Sequence, residues 1–265
     1  MQRRHAVAAL AAGALSAAAI PGRSAGTPTT RKDTMTTAAQ ELQQIYDRLT
    51  AREVPGAVKC SAEMQALILT ASLTALNARE TLSAHFDKAL AAGVPPVKLR
   101  EAIVQTMAYS GLACALEAEA RLYAAMKKAG MEVKLPESGV VTDADRFEKG
   151  LAAQKSIFGP AIDDMHRNAK PDEKFLTVDQ LSGWCFGDSY TRKDLTLQTR
   201  ELLTFCAIAS MGGCDPQVRA HAGGNVAVGN GRSVLLDALA VMLPVIGFPK
   251  TLNALAAVNA AAPLK

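Results

Sequence analysis

The chain is poor in aromatic residues and has no strong excess of charge of either sign. Aromatic side chains make up 5% of its 265 residues, with a single Trp, and runs of β-branched residues are scarce. Alanine and leucine recur along the chain instead, so the composition favours packed helices over a sandwich or barrel of strands. With 49% apolar and 20% charged residues, the sequence predicts a globular all-α protein.

The charge balance offers no basis for binding nucleic acid. The formal net charge is +4, and three of the arginines, Arg3, Arg4 and Arg23, lie in an N-terminal segment that has the layout of a removable signal. Without those three arginines, +4 falls to +1. A near-neutral chain has no basic surface of the kind that nucleic acids require.

Residues 1–26 have the three-part layout of a secretory signal peptide. A basic start is followed by the uncharged stretch 6–20 and by the small residues Ser24 and Gly26, which flank a plausible cleavage site. The paired arginines resemble a twin-arginine signal, and the uncharged stretch is too short to span a bilayer. We therefore expect a periplasmic or secreted protein without a membrane anchor. The alternative is an alanine-rich N-terminus on a cytoplasmic protein.

Cysteine and histidine are too few and too scattered for a metal site. Five cysteines leave at least one thiol unpaired, and no two of them form a CxxC motif. The four histidines supply neither HExxH nor a paired Cys/His spacing. We expect no bound metal and no cofactor.

The sequence contains the same unit twice. Residues 65–118 align without a gap on residues 201–254, at an offset of 136, with His85 on His221 and two glycines of each copy in register. Each copy has the pattern of four helices separated by glycine turns, predicted at 61–76, 79–92, 96–109 and 112–129, and at 197–211, 215–229, 233–243 and 249–262. We divide the chain into a signal peptide (1–26), a lead-in with one helix (27–55), a degenerate first lobe (56–130), a linker (131–144) and a second lobe (145–265).

The densest group of chemically active side chains lies in the second copy: Glu201, Cys214, Gln217 and His221. On a helix that begins at Asp215, Gln217 and His221 share one face, and Cys214 stands at the N-terminus, where a thiol pKa falls. Glu201, on the preceding antiparallel helix, is placed to approach His221 and to set its tautomer. The alternative is a structural histidine on an apolar helix face. In the first copy His85 is kept, but Gln65 and Ala78 replace the acid and the thiol.

A second group lies just upstream, in a short predicted connection. It contains Asp188, Tyr190 and Arg192, with Trp184 before them. This mixture of aromatic, acidic and basic side chains suits a pocket rim for a small anion, whereas solvated loop residues are the alternative. We take Arg192, Tyr190, Gln217, Trp184 and His85 as candidates for substrate binding.

The sequence resembles the carboxymuconolactone decarboxylase family, whose other branch contains alkylhydroperoxidase D. The likeness rests on residues 199–203, on Gly212-Gly213-Cys214-Asp215-Pro216 through His221, and on Gly229 and Gly247-Phe248-Pro249. Residues 186–188 and 190–192 are similar to a segment of the decarboxylase branch. The resemblance covers residues 146–258 well and 57–125 more loosely.

The resemblance implies two tandem helical lobes packed as a pseudo-dimer, and a homotrimer of such chains that mimics a hexamer of single lobes. It implies a lyase of aromatic-compound catabolism that decarboxylates a carboxylated γ-lactone without a cofactor. His221 would be the proton donor, Glu201 or Asp188 would orient it, and Arg192 would anchor the substrate.

Two further functions are compatible with the resemblance. One is peroxiredoxin-like hydroperoxide reduction through Cys214, although Gln217 stands where that branch has its second cysteine. The other is a noncatalytic oligomeric binder of small carboxylates.

Overall fold

Helices account for all the regular secondary structure in the described part of the chain, as the composition predicts. The computed structural model describes residues 37–264; the predicted signal peptide and residues 27–36 of the lead-in lie outside these residues. The chain begins with α1 (Thr37–Arg48), a π-helical turn (Leu49–Glu53) and α2 (Val54–Ala57). Residues from Glu41 onward form one compact unit.

Both copies of the repeat fold into helices whose bounds keep the 136-residue register. The first copy contains α3 (Ala62–Ala75), α4 (Arg79–Ala91), α5 (Pro96–Ser110) and α6 (Leu112–Lys128). The second contains α10 (Leu197–Met211), α11 (Asp215–Ala227) and α12 (Arg232–Ala261). Helix α12 is bent at Gly247 (φ 75°, ψ 169°), whose counterpart Gly111 separates α5 from α6 (φ 87°, ψ 161°). Glycine suits both positions because other residues are strained at positive φ.

The predicted helix bounds hold within a few residues, with one correction. The sequence predicts that the third helix of the second copy ends at residue 243, before Pro244. The helix instead continues through Pro244 to the bend at Gly247. Of the described helices, only α12 is long and apolar enough to cross a membrane, and part of it is buried in the core.

The helices of the two copies share one hydrophobic core. Helix α3 packs against α10 and α12, while α5 packs against α10. Fully buried side chains from both copies, such as Leu67, Ile103, Leu203 and Met242, belong to the same cluster. Because α5 lies against α10, side chains of the first copy reach His221 in the second copy.

The segment between the copies supplies an additional layer over the second one. Residues 131–142, within the predicted linker, contain no helix. They are followed by α7 (Arg146–Phe158), α8 (Ala161–Asn168), a long π-helical segment (Phe175–Gly187) and the single turn α9 (Asp188–Tyr190). Helix α7 packs on the π-helical segment so closely that a Cβ on Gly150 would overlap the backbone oxygen of Ser182. A smaller second cluster, with Ile157, Phe186 and Tyr190, fills this layer.

Candidate active site

A buried histidine–glutamate pair forms the centre of the site. Helices α10 and α11 run antiparallel across the glycine turn at 212–213, which brings Glu201 opposite His221. Nδ1 of His221 lies 2.7 Å from Oε1 of Glu201, which is completely buried, while 8% of His221 is exposed. The carboxylate therefore fixes Nδ1 as the protonated nitrogen and leaves Nε2 without a hydrogen-bond partner among the described residues.

A tyrosine hydroxyl holds the other oxygen of the Glu201 carboxylate. The hydroxyl of Tyr190 donates to Oε2 of Glu201 at 2.8 Å and also lies 2.8 Å from Oγ1 of Thr204. Both carboxylate oxygens of Glu201 are therefore bonded. Burial, with the nearby Glu201 charge, raises the pKa of Tyr190 well above its ordinary value, so this phenol stays protonated.

The backbone of α11 is shaped to admit the carboxylate. Gly224 lies one turn after His221, and a Cβ at this position would overlap Oε1 of Glu201. Asn225 ties the two helices together, because its side-chain amide donates to the backbone oxygens of Glu201 at 3.1 Å and of His221 at 2.8 Å. The orientation of the pair is thus set by both helices.

Three aromatic rings surround the imidazole and its partner. Tyr109 of α5 and Phe158 of α7 present edge-to-face contacts to His221, with ring centroids 5.8 and 5.4 Å away. Phe186 stacks on Tyr190 at 4.6 Å. The hydroxyl of Tyr109 lies 3.2 Å from that of Tyr190. The polar pair therefore sits in apolar surroundings, where its electrostatic interaction is stronger than in water.

A chain of buried polar groups continues from this centre into the first copy. Gln105 donates to Thr204 at 3.0 Å, and its oxygen accepts from the fully buried Arg200. Arg200 in turn pairs with Glu101 at 2.9 Å. Desolvation opposes ionisation of Glu101, but its contacts with Arg192 and Arg200 outweigh that cost and lower its pKa.

The structure places Arg192 and Asp188 in ion pairs of the scaffold. Nε and Nη2 of Arg192 each donate to Glu101 at 2.9 Å. Asp188 pairs with Arg146 of α7 at 2.5 Å. Of the two carboxylates considered for orienting His221, Glu201 is the one in contact with it.

Residues 186–190, at the centre of the upstream group, are helical and mostly buried, so they do not form a solvated loop. Phe186 and Gly187 end the π-helical segment, and Asp188–Tyr190 continues it as a helical turn. Phe186 and Tyr190 are buried, whereas Trp184 is 36% exposed. Of the predicted substrate-binding residues, Tyr190 is the one that contacts the His221–Glu201 pair.

Cys214 immediately precedes α11 and Gln217 lies within it, and both are outside this hydrogen-bonded group. Cys214 is half-buried, and its thiol lies 3.5 Å from the backbone oxygen of Gly212. Gln217 is exposed. The thiol nearest the histidine network is Cys185, 3.5 Å from the hydroxyl of Tyr109, and burial raises its pKa to about 11.

His85 has different surroundings from His221. Its Nε2, not Nδ1, is held, by the backbone oxygen of Ala66 at 3.1 Å and by Oγ1 of Thr70 at 2.9 Å. Gln65, at the position equivalent to Glu201, donates to the backbone oxygen of Cys60. Burial lowers the pKa of His85 to about 4.

Sequence reasoning missed Tyr109 and Phe158. Neither belongs to a motif that includes His221, and each reaches the site through packing of a different helix. The sequence signal for Tyr109 was indirect. In the repeat register Tyr109 corresponds to Val245, so a polar aromatic residue stands at this position in one copy only.

Residues 177–260 match the model of the carboxymuconolactone decarboxylase family, a range that includes Tyr190, Glu201, Cys214 and His221. No curated protein matches the chain.

Proposed function

We propose that the chain decarboxylates a carboxylated γ-lactone without a cofactor, at His221, because residues 177–260 match the model of the carboxymuconolactone decarboxylase family. The observation that carries this proposal is the Glu201–His221 pair. Its 2.7 Å contact occupies Nδ1 and leaves Nε2 free of protein partners among the described residues. A histidine held in this way by a buried carboxylate is suited to general acid–base work.

The proposed reaction needs one proton donor and no redox step. The bond between the lactone ring carbon and the substrate carboxylate breaks, CO2 leaves, and the electron pair passes into the conjugated lactone carbonyl. Nε2 of the His221 imidazolium then delivers a proton to carbon, and water restores the proton to the imidazole. In the net reaction, the substrate loses its carboxylate as CO2 and gains one proton as a new C–H bond.

The surrounding residues support this role in distinct ways. Glu201 stabilises the imidazolium by its charge and fixes the ring orientation. Tyr190 is a positioning residue, because it acts on Glu201 by the 2.8 Å hydrogen bond. Asp188 and Arg192 are engaged in ion pairs of the scaffold, so we assign them no contact with substrate.

The test is NMR of the purified protein with γ-carboxymuconolactone, watching for the decarboxylated enol-lactone. We expect product from the wild type and from His166→Ala, and none from His221→Ala. Glu201→Gln keeps the size of the side chain but removes the charge, so we expect its rate to fall by about 10²–10⁴-fold, the usual contribution of general acid–base catalysis. Unfolding midpoints of all variants separate lost chemistry from lost structure.

Two results distinguish the other functions. Thiol-dependent consumption of a hydroperoxide that disappears in Cys214→Ser, with no lactone turnover, would replace the decarboxylase proposal by the peroxidase one. Lactone binding without turnover, equal in the wild type and in His221→Ala, would identify a noncatalytic binder.

We also propose that the chain forms a trimer through a repeated apolar face. Large side chains are exposed at matching positions one turn apart at the start of the fourth helix of each copy. They are Leu112 and Leu116 in α6, exposed by 57% and 53%, and Phe248 and Leu252 in α12, exposed by 65% and 54%. Two equivalent apolar faces per chain suit a closed ring of identical contacts.

Analytical ultracentrifugation tests the assembly. The double variant Leu116→Glu, Leu252→Glu is expected to sediment as a monomer, whereas the exposed-site control Val226→Glu keeps the wild-type mass. A wild-type protein that is monomeric at micromolar concentration contradicts this proposal without affecting the assignment of His221.

A further inference from the structure

A cavity adjoins His85 in the first copy. It has a volume of about 800 Å³, within the range of pockets that hold small molecules. Its walls come from α1, α2, α3, α4 and the end of the third helix of the second copy. The apolar lining includes Val54, Leu69, Leu73, Val241 and Val245.

The repeat register relates this cavity to the His221 site. Four polar residues around His221 have counterparts 136 residues away that line the cavity, and each counterpart has lost the charge or the hydrogen-bonding group. The pairs are Glu201 and Gln65, Tyr190 and Val54, Gln105 and Val241, and Tyr109 and Val245. The space around His85 is therefore suited to an apolar guest, whereas the His221 site is lined by charged and polar groups.

The hydrogen bonds of His85 determine which ring nitrogen carries the hydrogen. Nε2 lies 3.1 Å from the backbone oxygen of Ala66, and a carbonyl oxygen only accepts, so Nε2 is the donor. Thr70 donates to the same carbonyl at 2.8 Å, which leaves its oxygen free to accept from Nε2 as well. Nδ1 is then an unprotonated acceptor, and it has no hydrogen-bond partner within the described residues.

The charges that line the cavity are carried by exposed side chains. Its charged lining residues, Asp47, Glu80 and Lys88, are all exposed at the surface end. Burial keeps His85 neutral at neutral pH. Lys88 is the one cation among these lining residues and its charge acts on His85, but it is exposed. An anionic ligand group would therefore lose its hydration for only a solvent-screened attraction.

We infer that the His85 cavity is a second binding site, which takes an uncharged, largely apolar small molecule whose single hydroxyl donates to Nδ1 of His85. Alcohols and phenols have this chemistry. The inference does not depend on the reaction proposed for His221, because it rests on a different cavity and on a histidine without a carboxylate partner.

Isothermal titration of the full chain with three matched probes tests the ligand class. We expect para-butylphenol to bind, and para-butylanisole, which lacks the hydroxyl hydrogen, to bind about tenfold more weakly, which is the worth of one hydrogen bond. We expect para-butylbenzoate to bind more weakly than the phenol. Equal affinity for the phenol and the ether, or tightest binding of the carboxylate, overturns the inference.

Variants and a spectroscopic signal locate the site. Val245→Trp fills the cavity without touching the hydrogen bonds of His85 and is expected to abolish phenol binding, whereas the exposed control Val226→Trp retains it. In the wild-type protein, nitrogen-15 NMR should show the Nδ1 resonance of His85 shifting on titration with the phenol while that of His221 stays in place. A shift at His221 alone, or unchanged binding by a folded Val245→Trp variant, refutes the assignment.

Discussion

Gly224 lies against the carboxylate of Glu201, which orients His221. Adding one methyl group at Gly224 therefore perturbs the carboxylate without changing either catalytic side chain. In Gly224→Ala the new Cβ would overlap Oε1 of Glu201, and it would lie 2.8 Å from Cγ2 of Ile157 and 3.1 Å from Cε1 of Phe158. The carboxylate has little free space to retreat into, since Glu201 is fully buried and Ile157 is buried as well. We expect Glu201 to move away from His221.

The neighbouring Gly223 supplies a matched control. It lies in the same helix, it is exposed, and a Cβ there meets nothing within 4 Å. Gly223→Ala should therefore show only the gain in helix propensity, about 1 kcal/mol. Gly224→Ala gains the same amount but loses about 1–3 kcal/mol to overpacking and about 1.5–3 kcal/mol if the charge-assisted bond breaks. The net destabilisation is about 1.5–5 kcal/mol.

Urea unfolding followed by circular dichroism measures the two variants side by side. We expect the midpoint to rise for Gly223→Ala and to fall for Gly224→Ala, with turnover of the lactone lost only in the second. If both variants are equally stable and equally active, the carboxylate is not confined as the structure has it, and the argument for a preoriented His221 fails.

Three further expectations test other parts of the fold. Gly150→Ala should lower the free energy of unfolding by about 3 kcal/mol, because the new Cβ would meet the backbone of the π-helical segment. Gly183→Ala, where the nearest neighbour of a Cβ lies at 3.8 Å, should change the free energy of unfolding little, and urea midpoints compare the two variants. The folded-state pKa of His85, about 4, is below the unfolded value of 6.5, so its full stabilisation is present above pH 6.5 and about 3 kcal/mol is lost as the pH falls through 4. This pH dependence should flatten in His85→Gln, and an equal slope in both proteins contradicts the assignment. Tyr190→Phe removes the bonds to Glu201 and Thr204, so it should cost about 1–3 kcal/mol and alter the pH profile of turnover, which a purely structural tyrosine would leave unchanged.

The helices were predictable because their signals are local. Glycine and proline mark the ends of most helices, and the repeat provides the same evidence twice. Gly111 and Gly247 illustrate this, since the positive φ that each adopts is a property of the residue and its immediate neighbours. Pro244 is the exception: the chain continues as a helix through it, so the expected end at residue 243 is wrong.

The central pair of the site was also within reach of the sequence. Glu201 and His221 lie on consecutive antiparallel helices joined by a short glycine turn, so their approach follows from helix geometry and turn length. The same argument did not separate the roles of Glu201 and Asp188. The distinction depends on Arg146, which lies on α7, distant in sequence from either motif, and forms an ion pair with Asp188.

By itself, the sequence determined the all-helical composition, the duplicated pattern, the glycine breaks and the meeting of Glu201 with His221, because each depends on residues close together along the chain. Tertiary structure alone decided that Tyr109 and Phe158 enclose the imidazole, that Arg192 is bound by Glu101 and that His85 is held through the opposite ring nitrogen. The first two of these contacts join residues from distant parts of the chain whose approach is set by packing of the whole core. The choice of ring nitrogen depends on how the His85 imidazole is rotated about its side-chain bonds, which no sequence spacing encodes.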